Sequence, residues 1–296
     1  MIPGDRDACL ARARRSLEGL SVGDAFGETF FPRKADIFAR RLAGHAPWRW
    51  TDDTAMAVAI VAELAATGDV DPDALARRFA DHHAREPWRG YGATAQDILT
   101  ALADGVPWRV AARAPFGGEG SKGNGSAMRV APLGAYFAHD LDTAIAAAVR
   151  SARPTHLHRE AEAGAIAVAV AAALVARMAA GLLPRDGRAL LAAVWEHTPT
   201  SLTRDGLDLA TRVRLDAGAI AAGQRLGNGA RVLCEDTVPF CLWIVAHHLD
   251  SYEEALWATL QPIGDIDTTC AIVGGILAAG DATIPPAWLA AREPLP

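Results

Sequence analysis

Thr51-Asp52-Asp53-Thr54 and Gly264-Asp265-Ile266-Asp267-Thr268-Thr269 are the residues of this chain whose types and spacing point most directly to chemistry. Each group precedes an alanine-rich, helix-prone stretch, so each places two carboxylates at a helix start. One reading is capping, because Asp and Thr accept hydrogen bonds from the free amides of a first turn and acids favour the positive end of the helix dipole. Capping uses one such residue, or two; a third consecutive oxygen donor adds like-charge repulsion without a further benefit. If folding brings the clusters together, four negative charges converge, and unpaired buried carboxylates are strongly penalised. Two divalent cations would balance them. Asp265 and Asp267 converge only where the backbone bends, which Gly264 permits, and Thr268 adds a hydroxyl. Hard oxygens without His or Cys suit magnesium, manganese or calcium and argue against zinc. The expected cofactor is two Mg2+, with Mn2+ as the alternative.

A third element is Ser121-Lys122-Gly123-Asn124-Gly125-Ser126-Ala127-Met128-Arg129, the end of a run from Ala114 that holds five glycines. It can be an irregular loop entering a helix, since glycine-rich loops alone are weak signals. Its chemistry would be anion contact: unobstructed backbone amides near a helix start donate to phosphate oxygens, and Asn124 and Ser126 add polar side chains. No Walker P-loop spacing is present. His156, in Pro154-Thr155-His156-Leu157-His158, reads either as a cap for the helix beginning near Glu160 or as a flat ring for stacking on a base. The doublets His82-His83 and His247-His248 lack the four-residue spacing of paired ligands and read as packing residues.

The elements that must position these groups read as helices. Alanine-rich segments recur at Ala8 to Leu20, Ala55 to Ala66, Pro72 to Ala84, Leu141 to Arg150, Glu160 to Ala180, Leu207 to Ala222, Val238 to His248, Glu253 to Leu260 and Ala271 to Ala279. Cys9, Leu10, Ala13, Leu17 and Leu20 recur at helical spacing, and no comparable series alternates with period two. Asp71-Pro72 marks a start, and Gly68 and Gly181 mark stops. The expectation is an all-α, compact orthogonal bundle forming a single domain over 1–296, with no linker to divide it. At 296 residues and 51% apolar content a well-filled core is available. The net charge of -6 comes from interleaved acids and bases, with no basic block for a phosphate backbone, so general nucleic-acid binding is disfavoured. The four cysteines form no CxxC pair, and the N-terminus carries acids where a secretory signal needs a positive start; a cytoplasmic setting is expected. The small-apolar run from Ala163 to Ala176 is shorter than the roughly twenty residues of a membrane span, so it is expected as a buried helix, with no membrane partner.

Taken in order, these elements resemble the ADP-ribosylglycohydrolase family, which includes dinitrogenase-reductase-activating glycohydrolases and ADP-ribosyl-acceptor hydrolases. GLSVGDAFG from Gly19 to Gly27 resembles the family's first glycine-rich helix; TDDT, GNGSAMR from Gly123 to Arg129, TH at Thr155 and His156, and GDIDTT follow in sequence. The likeness runs from about residue 12 to 280, and it is the ordered set that is specific, each piece being common alone. It implies an all-α bundle with a binuclear magnesium cleft that engages the distal ribose of an ADP-ribosyl group. Motif matching implies Thr51, Asp52, Asp53, Asp265, Asp267 and Thr268 as metal ligands. It also implies that Ser121, Lys122, Gly123, Asn124, Gly125 and Ser126 cradle the pyrophosphate or ribose, with Met128 nearby, and that His156 stacks on adenine. The implied activity is removal of ADP-ribose from an acceptor, most directly a protein arginine, so the implied partner is an ADP-ribosylated protein or ADP-ribose itself. In many members a glutamate lies eight residues after the first Gly of the Gly-Asp pair; here that position is Phe31, and the nearest acid is Glu28. Glu28 or Asp53 is then the candidate catalytic base.

Two rivals remain at this stage. A catalytically silent ADP-ribose binder on the same scaffold is suggested by Phe31. A two-metal terpenoid synthase is disfavoured, because a DDxxD motif starting at Asp52 needs an acid where Met56 stands.

Overall fold

The computed structural model describes residues 2–31 and 41–296. Among these residues the regular structure is helical throughout; the pairings of extended chain are single bridges, Trp48 with Arg292 and Gly123 with Leu233. The helices are α1 (Arg6–Glu28), α2 (Asp52–Thr67), α3 (Pro72–Arg85), α4 (Ala93–Ala103), α5 (Ala131–Tyr136), α6 (Leu141–Ala152) and α7 (Arg159–Ala179). They continue as α8 (Gly187–His197), α9 (Leu202–Arg212), α10 (Ala219–Leu226), α11 (Cys234–His247), α12 (Tyr252–Thr259), α13 (Ile266–Ala279) and α14 (Pro286–Ala291), with single turns between some of them. This is the all-α class that the helical periodicity predicts.

Local signals act where the sequence places them. Asp71 caps α3 by accepting from the Ala74 amide at 2.7 Å, and Gly68 ends α2 in the left-handed region at φ 79°. Two expectations change. The segment from Leu207 to Ala222 is not one helix: α9 ends at Arg212, and Gly218 in extended conformation precedes α10. Charged Arg212, Arg214 and Asp216 interrupt the apolar face there, so no continuous buried stripe holds a helix together. The first helix, in turn, runs past Leu20 to Glu28.

Packing explains that extension. Gly19, Gly23 and Gly27 fall four residues apart on one face of α1, and α13 lies directly against them. A Cβ at Gly23 would stand 2.2 Å from the Cys270 carbonyl oxygen, and one at Gly27 would stand 2.5 Å from that of Ile266. Glycine lowers helix propensity by about 1 kcal/mol relative to alanine; here tertiary packing outweighs that cost, because only hydrogen at these positions lets the two backbones touch. The seam brings the C-terminal half of α1 beside the first turn of α13.

α7 forms the centre of the core. Its 21 residues are apolar enough to resemble a membrane span by composition, and 89% of its most apolar stretch is buried inside the protein. One connected set of buried apolar residues runs from Cys9 to Ile284. All four cysteines are free and buried.

Candidate functional site

The α1–α13 seam decides where the acids meet. Asp24, completely buried on α1, lies one residue beyond Gly23, and Asp267 lies in the first turn of α13 beside Gly27. One oxygen each from Asp24, Asp53 and Asp267 lie within 4.8 Å of one another. Asp52 and Asp53 form the first turn of α2, and Asp265 is the N-cap of α13. The clusters separated by more than two hundred positions therefore share one place.

The cap at α2 is unusual. Thr51 occupies the N-cap position, yet its side chain accepts no hydrogen bond from the first turn. Its amide and hydroxyl instead approach Asp24, at 2.9 and 2.8 Å, and Asp24 also accepts from the amide and hydroxyl of Thr54, at 3.1 and 2.5 Å. A carboxylate from another helix does the capping, which leaves the Asp52 and Asp53 side chains free of it. The Thr51 hydroxyl also lies 3.0 Å from Asp53.

Electrostatics follow from this crowding. Burial, then the charge of Asp267, raises the Asp24 carboxyl to about 7 and the Asp265 carboxyl to about 8. Asp52 is raised well above the usual range by burial and Asp267, and Asp53 by burial and Asp24. Asp53 Oδ1 and Asp267 Oδ1 are buried without a hydrogen-bond partner. Buried acceptors left unpaired cost about 1–3 kcal/mol each, and more when charged. Convergent, unpaired, hard oxygens are what a divalent cation would satisfy, so the residues fit one.

These acids form one wall of a cavity of about 770 Å3, lined by Asp52, Asp53, Asp265, Asp267 and Thr268 on that side. Ser121, Lys122, Gly123, Asn124, Gly125, Met128 and His156 line it as well. The loop is anchored to both walls: Asn124 Nδ2 donates to Asp265 at 2.7 Å and to Thr237 at 3.1 Å, and the Asn124 amide donates to the Val232 carbonyl. Lys122 reaches Glu235 at 3.1 Å. Ser126 departs from expectation: it is completely buried outside the lining, and its hydroxyl donates to the Ala161 carbonyl at 2.8 Å. Small size lets that turn pack on α7. Thr51 lies behind the lining. The cap of α7 is His158, which accepts from the Glu160 amide at 3.1 Å, so His156 is left to face the cavity. A second depression, about 640 Å3 around the Arg185 pairs with Asp250 and Asp281, contains none of these residues.

The ADP-ribosylglycohydrolase profile matches residues 5–294, almost the whole chain. The chain belongs to the ADP-ribosylglycohydrolase family. It is 27% identical to ADP-ribosylhydrolase ARH3 of Danio rerio over 335 aligned positions, covering 96% of this chain and 87% of that protein. It is 26% identical to ADP-ribosylarginine hydrolase Tri1 of Pseudomonas putida (strain GB-1), covering 96% and 74%. Among solved structures, one titled ADP-ribosylglycohydrolase-related protein complex superposes with a TM-score of 0.68 at 25% identity, over 96% of this chain and 93% of that one.

In this member of the family, the acid at the end of α1 is Glu28. It lies one helical turn after Asp24, on the same face, and burial followed by the charge of Asp267 raises it to about 6. Phe31 is 44% exposed in the turn that follows. Sequence reasoning missed Asp24 as a site residue, although Gly23-Asp24 stands in the motif: its partners are 27 and 30 residues away, and no local spacing announces them. It also missed Arg129, which is buried behind His156.

Proposed function

We propose that the protein hydrolyses the bond between the anomeric carbon of ADP-ribose and an acceptor, with an arginine side chain of a modified protein as the leading substrate. The observation that carries this reading is that both acidic clusters and the glycine loop with His156 line a single cavity. The name of the Pseudomonas relative supports arginine as the acceptor.

Thr51, Asp52, Asp53, Asp265, Asp267 and Thr268 would hold two Mg2+, or Mn2+. Such ions supply Lewis acidity toward ribose hydroxyls and water. The chain supplies the rest. Donating its hydroxyl proton to Asp24 leaves the Thr51 oxygen lone pairs available. Asn124 holds Asp265 in place. The Gly123 amide is already given to Ser121 Oγ at 3.1 Å, so the Gly125 amide is the loop donor for a diphosphate oxygen, and the His156 ring offers a face to the base. Asp53 or Glu28 accepts the proton of the attacking water as its oxygen bonds to the anomeric carbon. The bond to the acceptor nitrogen breaks, and the carboxyl group passes the proton taken from water to that nitrogen as it leaves, which restores the carboxylate.

The test is a set of ADP-ribosylated substrates with arginine, serine and nucleic-acid-end linkages, assayed with and without magnesium. Release of free ADP-ribose from the arginine substrate, lost in folded Asp52→Ala and Asp267→Ala variants, is the expected result. The second reading, a silent ADP-ribose binder, is favoured by Phe31 at the position where many relatives have an acid. Binding of ADP-ribose without release from any linkage would establish it.

A further inference from the structure

Behind His156 lies a buried cation that the proposed reaction does not use. Arg129, the last residue of the GNGSAMR run, is completely buried. Its Nη2 donates to the Ser151 carbonyl and to Thr155 Oγ1, both at 2.9 Å. Nη1 lies 3.3 Å from Met56 Sδ, the guanidinium carbon lies 4.4 Å from the Phe79 ring centre, and Nε has no partner. A buried guanidinium with no carboxylate in hydrogen-bond contact is costly to keep; burial lowers its pKa to about 9, the charge of Asp52 opposes that in part, and the group stays charged at neutral pH. A position so expensive for a cation calls for a reason beyond filling space.

The reason lies one bond further on. A guanidinium can only donate, so Thr155 Oγ1 accepts from Arg129. The Thr155 hydroxyl has one proton of its own, and His156 Nδ1 lies 2.8 Å from that oxygen. With a lone pair committed to Arg129, the hydroxyl proton goes to Nδ1. Nδ1 is then an acceptor, so the neutral ring carries its proton on Nε2. The opposite tautomer would set Nδ1–H against a hydroxyl whose own proton then lacks an acceptor. A charged ring would face the guanidinium through one oxygen, and burial together with that charge holds His156 down to about 3. The Nε2 edge faces the glycine loop: a Cβ at Gly125 would meet Nε2 at 2.9 Å, and one at Gly123 would meet it at 3.3 Å.

We propose that Arg129 and Thr155 are positioning residues that hold His156 as a neutral ring with its proton on Nε2, so that the cavity wall presents one fixed hydrogen-bond donor to the ADP-ribosyl ligand. The ligand half of this statement rests on the proposed function; the tautomer half does not. The Arg129 charge also fixes the direction of the relay, because a neutral residue there would free Thr155 Oγ1 to turn its proton away.

Side-chain nitrogen–proton correlation spectra of the full chain, with ADP-ribose titration, test both halves. The unaltered protein should show His156 protonated at Nε2; a signal protonated at Nδ1 overturns the proposal. Thr155→Val removes the hydroxyl while keeping its shape, and should give a mixed tautomer and about tenfold weaker ADP-ribose binding. Thr155→Ser should restore both. An unchanged tautomer and affinity in Thr155→Val overturns the relay. If the valine variant does not fold, the serine variant decides, since the loss of the Nε2 signal there would also overturn it. An Nε2-protonated ring in a protein that does not bind ADP-ribose upholds the lock and removes the functional reading instead.

Discussion

Asp24 Oδ2 accepts both the amide of Thr54, at 3.1 Å, and its hydroxyl, at 2.5 Å, so the first helix caps the second. In most helices the N-cap residue's own side chain takes that amide. Here Thr51 turns its hydroxyl to Asp24 instead, and the acidic pair that follows is released from capping for use in the cavity. Asp24→Ala would leave the Thr51 and Thr54 amides buried without acceptors. Measured by urea denaturation with saturating magnesium, so that relief of carboxylate repulsion does not mask the loss, the variant should be less stable by about 3 kcal/mol. Asp24→Asn, which keeps one acceptor oxygen, should lose less. Equal stability of all three proteins would show that the cap is not structural.

The metal-free protein should become less stable as pH rises. Folded-state carboxyl pKa values are raised, to about 7 at Asp24 and about 8 at Asp265, above an unfolded value of about 3.9. The native state therefore binds more protons than the unfolded state, and the slope of stability against pH is negative. That contribution is full below about pH 4 and is lost as pH climbs through 7 to 8 at these two groups. Thermal unfolding in chelator should give a lower midpoint at pH 8 than at pH 5.5. Magnesium should reverse the order at pH 8, because it stabilises the ionised form. A midpoint in chelator that rises with pH would contradict the crowding of acids described here.

Helix class, the cap at Asp71, the stop at Gly68 and the placing of both acidic clusters at helix starts were legible because each is set by neighbours in sequence. Asp24 was not, since its value comes from a contact 27 residues away. The length of α1 was legible only through the family resemblance, which makes Gly19 to Gly27 helical: alanine-rich composition alone stops at Leu20, and burial against α13 carries the helix on to Glu28. Ser126 reads like its loop neighbours in sequence, but the turn from Gly125 to Met128 directs it to the α7 carbonyl at Ala161. Thr155 and Arg129 stand in the TH and GNGSAMR motifs, but their contact with each other and with His156 appears only in the fold.

The glycine seam gives a separate prediction. Gly23→Ala would place a methyl 2.2 Å from the Cys270 carbonyl oxygen and 2.7 Å from its carbon, both backbone atoms that cannot turn aside. Overpacking of this kind costs about 1–3 kcal/mol, and backbone displacement brings it to the upper end. The denaturation midpoint should fall accordingly. Because α1 carries Asp24 and α13 carries Asp267, magnesium affinity should fall as well, although neither carboxylate is altered. A variant as stable as the parent, with equal affinity, would mean that the helices can separate without disturbing the acids.

Glu28 is the nearest acid in sequence to position 31, although it stands outside the cavity lining that holds Asp53. It follows Asp24 by one turn and senses the charge of Asp267, with its carboxyl raised to about 6; Asp53, by contrast, lies inside the proposed cation set, where its charge is needed for binding. A base must be deprotonated to act, so kcat/KM should fall on the acidic side with a limb at or below about pH 6, lower when cations are bound because they favour the carboxylate. Glu28→Gln should lower kcat by about 10^2 to 10^4, abolish that limb and leave magnesium affinity nearly unchanged. Asp53→Asn should weaken magnesium binding first. Phe31→Ala, at an exposed position in the turn, should alter kcat by less than about threefold if Glu28 is the base, a change of about 0.6 kcal/mol in barrier height. A Glu28→Gln enzyme that keeps full activity and its acidic limb would move the role to Asp53, and the same measurements of pH dependence and magnesium affinity on Asp53→Asn would then have to show both losses together.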